Sequence, residues 1–405
     1  MNKDWMIADL HIHSRFSRAC SKDINFENLV KWARIKGIGL LGTGDFSHPI
    51  WIEEIKQKLV GNGKGIYFFE SFPFIITGEI SLIYTQERGR KVHLVLLIPS
   101  IEIAEKINSY LDKKGRRDYD GRPIFKISCE QFVKDMKEIN KDIEVIPAHI
   151  WTPYFGVFGS MSGFNSLKEA FGSQLDNVNA IETGISSDPI MNWKIKELES
   201  KSIISFSDSH SFWPFRLGRE ATIFHKVDSY NDLIKQIKEN SFVGTIETDP
   251  AYGKYHWDGH SACGFSCDFK KSLELKRICP KCNKSLVIGV ENRVNELSNT
   301  TGRDYPFKKM FYNVLPLHEI ISLFIGTSLQ SKKVWDIYNS LISLFKNEFD
   351  ILLEISKEEL MNKNIDNKLI NLIIKNRNGN IKVNPGFDGQ YGVAILDEEK
   401  QATLV

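Results

Sequence analysis

Nine residues into the chain, Asp9-Leu10-His11-Ile12-His13 sets two imidazoles two residues apart in an apolar alternation. On a strand, such residues share a face, so the pair offers half of a metal site. Further acids and imidazoles stand where apolar runs start or stop. Asp45 follows 38–43, Glu79 follows 74–78, and His93 opens 92–98. His149 follows 143–148, Glu182 follows 178–181, and Asp208 and His210 follow 202–206. Five of the ten histidines fall in this set, too many for turn or cap residues alone. Mixed imidazole and carboxylate donors suit zinc, manganese or iron better than calcium. The donors exceed what one ion takes, so the set predicts two or three ions bridged by a carboxylate such as Glu79. Such a cluster performs phosphoryl displacement by clamping the attacking and leaving oxygens.

A second set is Cys263, Cys267, Cys279 and Cys282, spaced close to a zinc ribbon, with Pro280 placed as in a knuckle. Four thiolates hold one zinc tetrahedrally and tie together a segment too small for its own core. The gap from Cys263 to Cys267 is wider than usual, so His256 or His260 could stand in for Cys267. Cys20 and Cys129 read as lone thiols.

These residues need a scaffold that brings strand ends together. From Asp9 to about His225 the chain alternates β-rich runs with helical patterns, seven strand candidates in all, as in an α/β barrel or a doubly wound sheet; barrel enzymes keep their chemistry at one end of the strands. Helical spacing recurs at 26–35, 191–198 and 230–237. A boundary falls near 226–250. It divides a phosphoesterase domain at 1–240 from a zinc-binding module at 251–298 and a mainly helical region at 299–405. That last region has amphipathic patterns at 317–324, 334–355 and 365–374 and a closing β-rich piece. At 405 residues there is length for several cores. The net charge of +2 excludes a strong global field, so nucleic acid must be met by local patches. One patch is Lys113, Lys114, Arg116, Arg117 and Arg122; another surrounds Lys270 and Lys271. No apolar run reaches bilayer-spanning length and the start lacks an apolar leader, so a cytoplasmic, nucleoid-associated location is expected.

Asp-x-His-x-His at 9–13, Gly44-Asp45, the His149 strand end and Ser207-Asp208-Ser209-His210 together resemble the PHP (polymerase and histidinol phosphatase) family. The resemblance implies a distorted seven-stranded β/α barrel with a trinuclear metal centre that hydrolyses phosphate esters. One departure stands out: the family's Thr-Asp-His is here Gly44-Asp45-Phe46. The stretches 9–22, 42–48, 182–193, 217–220, 253–263 and 385–392 resemble the endonuclease Q branch of that family, which acts in DNA repair. That branch implies cutting on the 5′ side of a deaminated base, such as uracil, hypoxanthine or xanthine, or of an abasic site, leaving 3′-hydroxyl and 5′-phosphate ends.

On this reading Asp208 belongs to the catalytic centre, and Arg216 or Arg219 neutralises the non-bridging phosphate oxygens. Trp151, Tyr154 and Phe155, following His149, would stack on an extruded base. Lys270 and Lys271 would grip the DNA backbone, and the resemblance implies that the helical region at 299–405 helps bind DNA. Zn²⁺ is expected as the structural ion and in the active-site cluster, with Mg²⁺ or Mn²⁺ able to support activity. The partner is damaged DNA; no sliding-clamp peptide stands out, and that partner stays open. The competing reading is a phosphomonoesterase of the histidinol-phosphatase type, which would not need the zinc module, the helical region or the basic patches. A DNA-binding accessory protein with a decayed site would have no reason to keep so many ionisable groups.

Overall fold

The computed structural model describes residues 4–396. The outer ends of the first and last expected domains, 1–3 and 397–405, lie outside the described residues, as does the chain terminus considered for a clamp partner.

The fold is mixed α/β. Trp5–Asp9 pairs in parallel with Leu40–Gly42 and antiparallel with Ala221–His225, and Leu40–Gly42 continues in parallel to Phe72–Gln86. The longest pairing is a hairpin of Phe72–Gln86 with Arg88–Ile98, in register from Ile76↔Ile98 to Gln86↔Arg88 and turned at Glu87 with φ 60°. Because partners across a ladder share a face, Glu79, opposite Val95, and His93, opposite Ser81, come to the same side. Glu144–Pro147 adds to the free side of that hairpin.

A distorted seven-stranded β/α barrel was expected; among the described residues main-chain pairing does not close a barrel, and the eleven-stranded sheet is open. Among the described residues, Ala180–Glu182 and Ser202–Ile204 pair only with each other. Side chains take the place of the missing ladders. Glu144 accepts from Asn179 N at 3.3 Å and Nδ2 at 2.9 Å. Ser205 N donates to Thr222 Oγ1 at 3.0 Å, and that hydroxyl donates back to Ser205 O at 2.9 Å. Short polar side chains that satisfy backbone groups in this way compete with strand pairing. A single bridge, Ile12↔Ser209, still brings the extension of the first strand beside that of Ser202–Ile204.

Helices are set by local signals. Phe26–Lys36 begins where Asn25 accepts from Asn28 N and ends at Gly37, φ 96°. A Cβ at Gly37 would lie 2.5 Å from Asn347 Oδ1, so the glycine also permits close docking of the C-terminal helices. The same junction buries Lys36, which donates to Glu348 Oε1 at 2.6 Å. Leu317 N and Tyr338 OH complete the shell of Glu348 at 2.9 and 2.8 Å. Removing one member would strand a buried charge.

The helical region comprises Leu317–Ile325, Lys332–Leu344, Lys357–Met361 and Asn367–Arg377. The pattern at 334–355 is not one helix: it stops at Leu344 and resumes as a wide turn over Asp350–Glu354. The 191–198 pattern likewise divides into Pro189–Asn192 and the 3₁₀ turn Lys196–Ser200. Periodicity sees apolar spacing but not the break that tertiary packing imposes. Met310–Asn313 joins the main sheet in parallel beside Gly244–Glu247, so the C-terminal region is knitted into the first. The C-terminal turn clasps the cysteine-bearing segment: Trp257 N donates to Gly386 O at 3.0 Å, and Asp388 Oδ2 accepts from Ser261 N and Oγ at 2.6 and 2.7 Å.

Candidate metal centre and its neighbours

At the strand ends the predicted donors converge. Two groups have donor atoms mutually within 4.8 Å: His11, His13, Glu79 and Asp208, and Glu79, His93 and His149. Glu79 belongs to both and is fully buried. Its Oε1 lies 2.7 Å from His93 Nδ1, 3.2 Å from His149 Nε2 and 3.7 Å from His11 Nε2. Its Oε2 lies 3.4 Å from His13 Nε2. Asp208 Oδ1 reaches His13 Nε2 at 2.9 Å and His11 Nε2 at 3.6 Å.

The remaining acids stand behind the histidines. Glu182 holds His11 Nδ1 at 2.9 Å through Oε1 and accepts from His149 N at 2.8 Å through Oε2. Asp45 holds His13 Nδ1 at 3.0 Å, while its other oxygen accepts from Ser14 N, Ser14 Oγ and Ser17 Oγ at 2.6, 2.6 and 2.9 Å. A carboxylate on the far nitrogen fixes ring orientation and raises the basicity of the near one. His210 lies beside the first group, its ring 4.5 Å from that of His13, with Nδ1 turned to Asp208 O at 2.9 Å. Asp9 latches the first strand to the chain between Ser202–Ile204 and Ala221–His225: it accepts from Ser207 N at 3.0 Å and Gly218 N at 2.9 Å, and burial lifts its pKa to about 6.

The donors fit a metal cluster. His11 Nε2 is buried without a hydrogen-bond partner, facing the Glu79 and Asp208 oxygens, which is costly unless something else binds it. Asp45, His149 and Asp208 sit at φ 44°, 31° and 47°, left-handed conformations costing about 1 kcal/mol or more each. Burial alone would raise the pKa of Glu79, but neighbouring His93, Arg122 and His11 outweigh it and hold the carboxyl well below its usual range. Asp208 is likewise held low, burial being outweighed by His210, His13 and His11. Burial pushes His93 down to about 4, so its ring is neutral and ready to ligate. His13 goes the other way, to about 9: burial lowers it, and Asp45 and Asp208 more than compensate.

Other expected residues are placed differently. Arg219 is buried, with Nε donating to Ser207 O at 3.2 Å, and Arg216 donates to Glu319 Oε1 at 3.3 Å. Neither makes a hydrogen bond to the donor groups. Trp151 is fully buried, its Nε1 donating to Asn192 Oδ1 at 2.8 Å, and so serves the core rather than a stacking surface. Tyr154 is exposed, and Phe155 packs 4.2 Å from the His93 ring. In the cysteine segment, His260, Cys263, Cys279 and Cys282 come together. Cys267 does not join them; it packs in a small apolar cluster with Leu286. Strand pairing of Asp258–His260 with Phe265–Cys267 puts His260 opposite Phe265, and Cys282 Sγ lies 3.4 Å from His260 Nδ1. Lys270 and Lys271 lie exposed by that module, Lys271 paired with Glu274 at 2.9 Å.

One residue that the sequence placed in a basic patch for nucleic acid reaches the centre. Arg122 Nη1 donates to Glu79 Oε2 at 3.2 Å. The only sequence signal was its place just after Gly121, where a Cβ would lie 2.2 Å from Asp45 Oδ2.

Fold and site together define the chain as homologous along its length to DNA-cleaving enzymes. More particularly, it is an endonuclease Q homologue. The lesion-specific endonuclease PfuEndoQ of Pyrococcus furiosus superposes with a TM-score of 0.86 at 29% identity, covering 98% of this chain and 96% of that one. Endonuclease Q in complex with a 27-mer duplex bearing an abasic lesion at its active site gives the same TM-score and identity. The MJ0043 C-terminal domain family matches residues 316–380. The uncharacterized protein MJ0043 of Methanocaldococcus jannaschii is 31% identical over 300 residues, and the match spans 71% of this chain but only 35% of that protein. The uncharacterized protein YqxK of Bacillus subtilis is 25% identical over 407 residues, covering 95% and 98% of the two chains. Among the described residues no helix is long and apolar enough to cross a membrane.

Proposed function

We propose that this protein is a metal-dependent DNA-repair endonuclease that hydrolyses the phosphodiester 5′ to a deaminated base (uracil, hypoxanthine or xanthine) or an abasic site. The observation that carries this reading is the pair of donor groups sharing the buried Glu79, in a chain alike from end to end to an endonuclease solved with abasic DNA. His11, His13, Glu79 and Asp208 would hold one part of the metal cluster, and Glu79, His93 and His149 the other. When bound, such ions activate water and stabilise charge on the phosphate. Glu182 and Asp45 keep the imidazoles aimed, and Asp208, held ionised, stays available as a ligand at neutral pH. In the reaction a bond forms between water oxygen and phosphorus while the P–O3′ bond breaks. One water proton ends on the 3′ oxygen, giving 3′-hydroxyl and 5′-phosphate ends. His260, Cys263, Cys279 and Cys282 would hold a structural zinc. Lys270 and Lys271 beside it would contact DNA phosphates, a salt-sensitive and sequence-independent grip.

The test is a nicking assay on end-labelled duplexes, undamaged or carrying one uracil, hypoxanthine or abasic site, with Mg²⁺, Mn²⁺ or Zn²⁺ supplied and p-nitrophenyl phosphate alongside. Lesion-dependent cutting on the 5′ side is expected. Monoester hydrolysis with intact duplexes would instead favour the histidinol-phosphatase type.

A further inference from the structure

Arg122 is held over the donor groups by a loop with little freedom. Asp120, itself buried, accepts from Arg18 N at 3.4 Å and Arg122 N at 3.1 Å. Gly121 N donates to Phe16 O at 3.1 Å and its carbonyl accepts from Ser47 Oγ at 3.2 Å. Ser81 N donates to Pro123 O at 3.0 Å. Three segments that carry site residues, those around His13, Asp45 and Glu79, therefore grip the loop on both sides of the arginine. Gly121 is required by space: a Cβ there would meet Asp45 Oδ2 at 2.2 Å and Ser17 Oγ at 2.4 Å. Such pinning is more than a surface ion pair needs.

The guanidinium itself is underused. Its hydrogen bond to Glu79 is the only one it makes among the described residues, and its side chain is 19% exposed, so most of its N–H groups have no protein partner there and the side chain is not sealed from solvent. Both oxygens of Glu79 are also the ones His11, His13, His93 and His149 surround, the atoms a metal cluster would claim. Arg216 and Arg219 make no hydrogen bond to the donor groups; one donates to Glu319 and the other, buried, to Ser207 O.

We infer that Arg122 is a catalytic residue that binds a non-bridging oxygen of the reacting phosphate, and that its contact with Glu79 is the resting position it leaves when phosphate arrives. This rests on the phosphodiesterase reading of the site. A planar, permanently charged donor pair suits a phosphate oxygen that gains charge as the P–O3′ bond breaks. The chemistry requires a phosphate diester and does not depend on which base carries the lesion.

The experiment compares the metal-loaded parent with Arg122→Ala and Arg122→Lys in three measurements: binding of inorganic phosphate by calorimetry, nicking of an abasic duplex, and metal content with thermal midpoint. Arg122→Ala should weaken phosphate binding about tenfold or more and slow nicking on the order of 10²-fold, at unchanged metal content and midpoint. Arg122→Lys should recover part of the phosphate binding but little of the rate, because a point charge lacks the fork. Unchanged phosphate binding in Arg122→Ala overturns the assignment. So does a loss of metal or of folded stability large enough to account for the slower cutting, which would make Arg122 the structural counter-charge of Glu79. If the parent nicks no lesion duplex yet Arg122→Ala still weakens phosphate binding, the endonuclease reading fails while the phosphate contact stands.

Discussion

Two donor clusters in this molecule are built on opposite principles. The His and carboxylate cluster gathers ligands from strand ends far apart in the chain; His13 and Asp208, 195 residues apart, meet at 2.9 Å. Behind them stand Glu182, Asp45 and Asp9, and apart from Asp208 and His210, which are partly exposed, the set is buried in the main body. The cysteine cluster draws His260, Cys263, Cys279 and Cys282 from a short stretch whose own apolar cluster is Cys267, Cys279 and Leu286 with partly buried neighbours. In the first case the fold makes the site; in the second the site must help make the fold, because so small a core cannot offset chain entropy unaided.

The sharpest way to break this contrast is at Asp208. Asp208→Asn keeps the shape and removes the ligand charge, so nicking should fall by about 10³-fold or more while the thermal midpoint stays near the parent's. Parent-like cutting would remove the first cluster from the reaction. Next comes metal removal. With a strong chelator, amide exchange should rise over 258–286 and stay slow in Phe72–Gln86 and Arg88–Ile98; Cys282→Ser should reproduce this pattern and Cys267→Ser should not. Uniform loosening of both regions would mean that the two clusters depend on metal alike for their fold. A smaller effect is expected from Glu182→Gln, which leaves every ligand in place but loosens His11; metal affinity or rate should drop about 10- to 100-fold.

The mildest test is pH. In the metal-free chain His13 carries a proton up to about pH 9, whereas His93, at about 4, is already neutral. A ligating imidazole must be deprotonated, so metal uptake at the first cluster displaces the His13 proton. Affinity should therefore rise with pH, by at most about tenfold per unit from this group, and level off near 9. Calorimetric titration in buffers of different ionisation enthalpy would count the protons released, that of His13 and that of His11, whose pKa is also raised because Glu182 and Glu79 outweigh its burial; no release at pH 7 would mean that His13 does not ligate.

Much of this was legible before the fold was known. His11 and His13 announce themselves by period-two spacing, and Glu79, His149, Asp208 and His210 by ending or breaking apolar runs where an ionisable side chain has no apolar reason to be. The cysteines announce a metal by spacing alone. Less legible were the sub-roles. Asp45 and Glu182 look like ligands in sequence, yet in the folded chain each spends its oxygens on a histidine and on backbone N–H groups. Trp151 looked like a stacking residue because it follows His149, but a hydrogen bond to Asn192 and full burial give it to the core.

The amino-acid sequence by itself therefore determined the kind of chemistry and the strand ends that carry it, since residue type and apolar periodicity are local properties. Only the tertiary structure decided which donors face one another, that His260 rather than Cys267 joins the cysteine group, that the strand ladder stays open, and that Arg122 reaches Glu79. The reason is distance: ligation and ion pairing are settled within a few ångström between residues tens to hundreds of positions apart. Spacing along the chain carries no information about those separations until the strands have paired and the loops between them have been pinned.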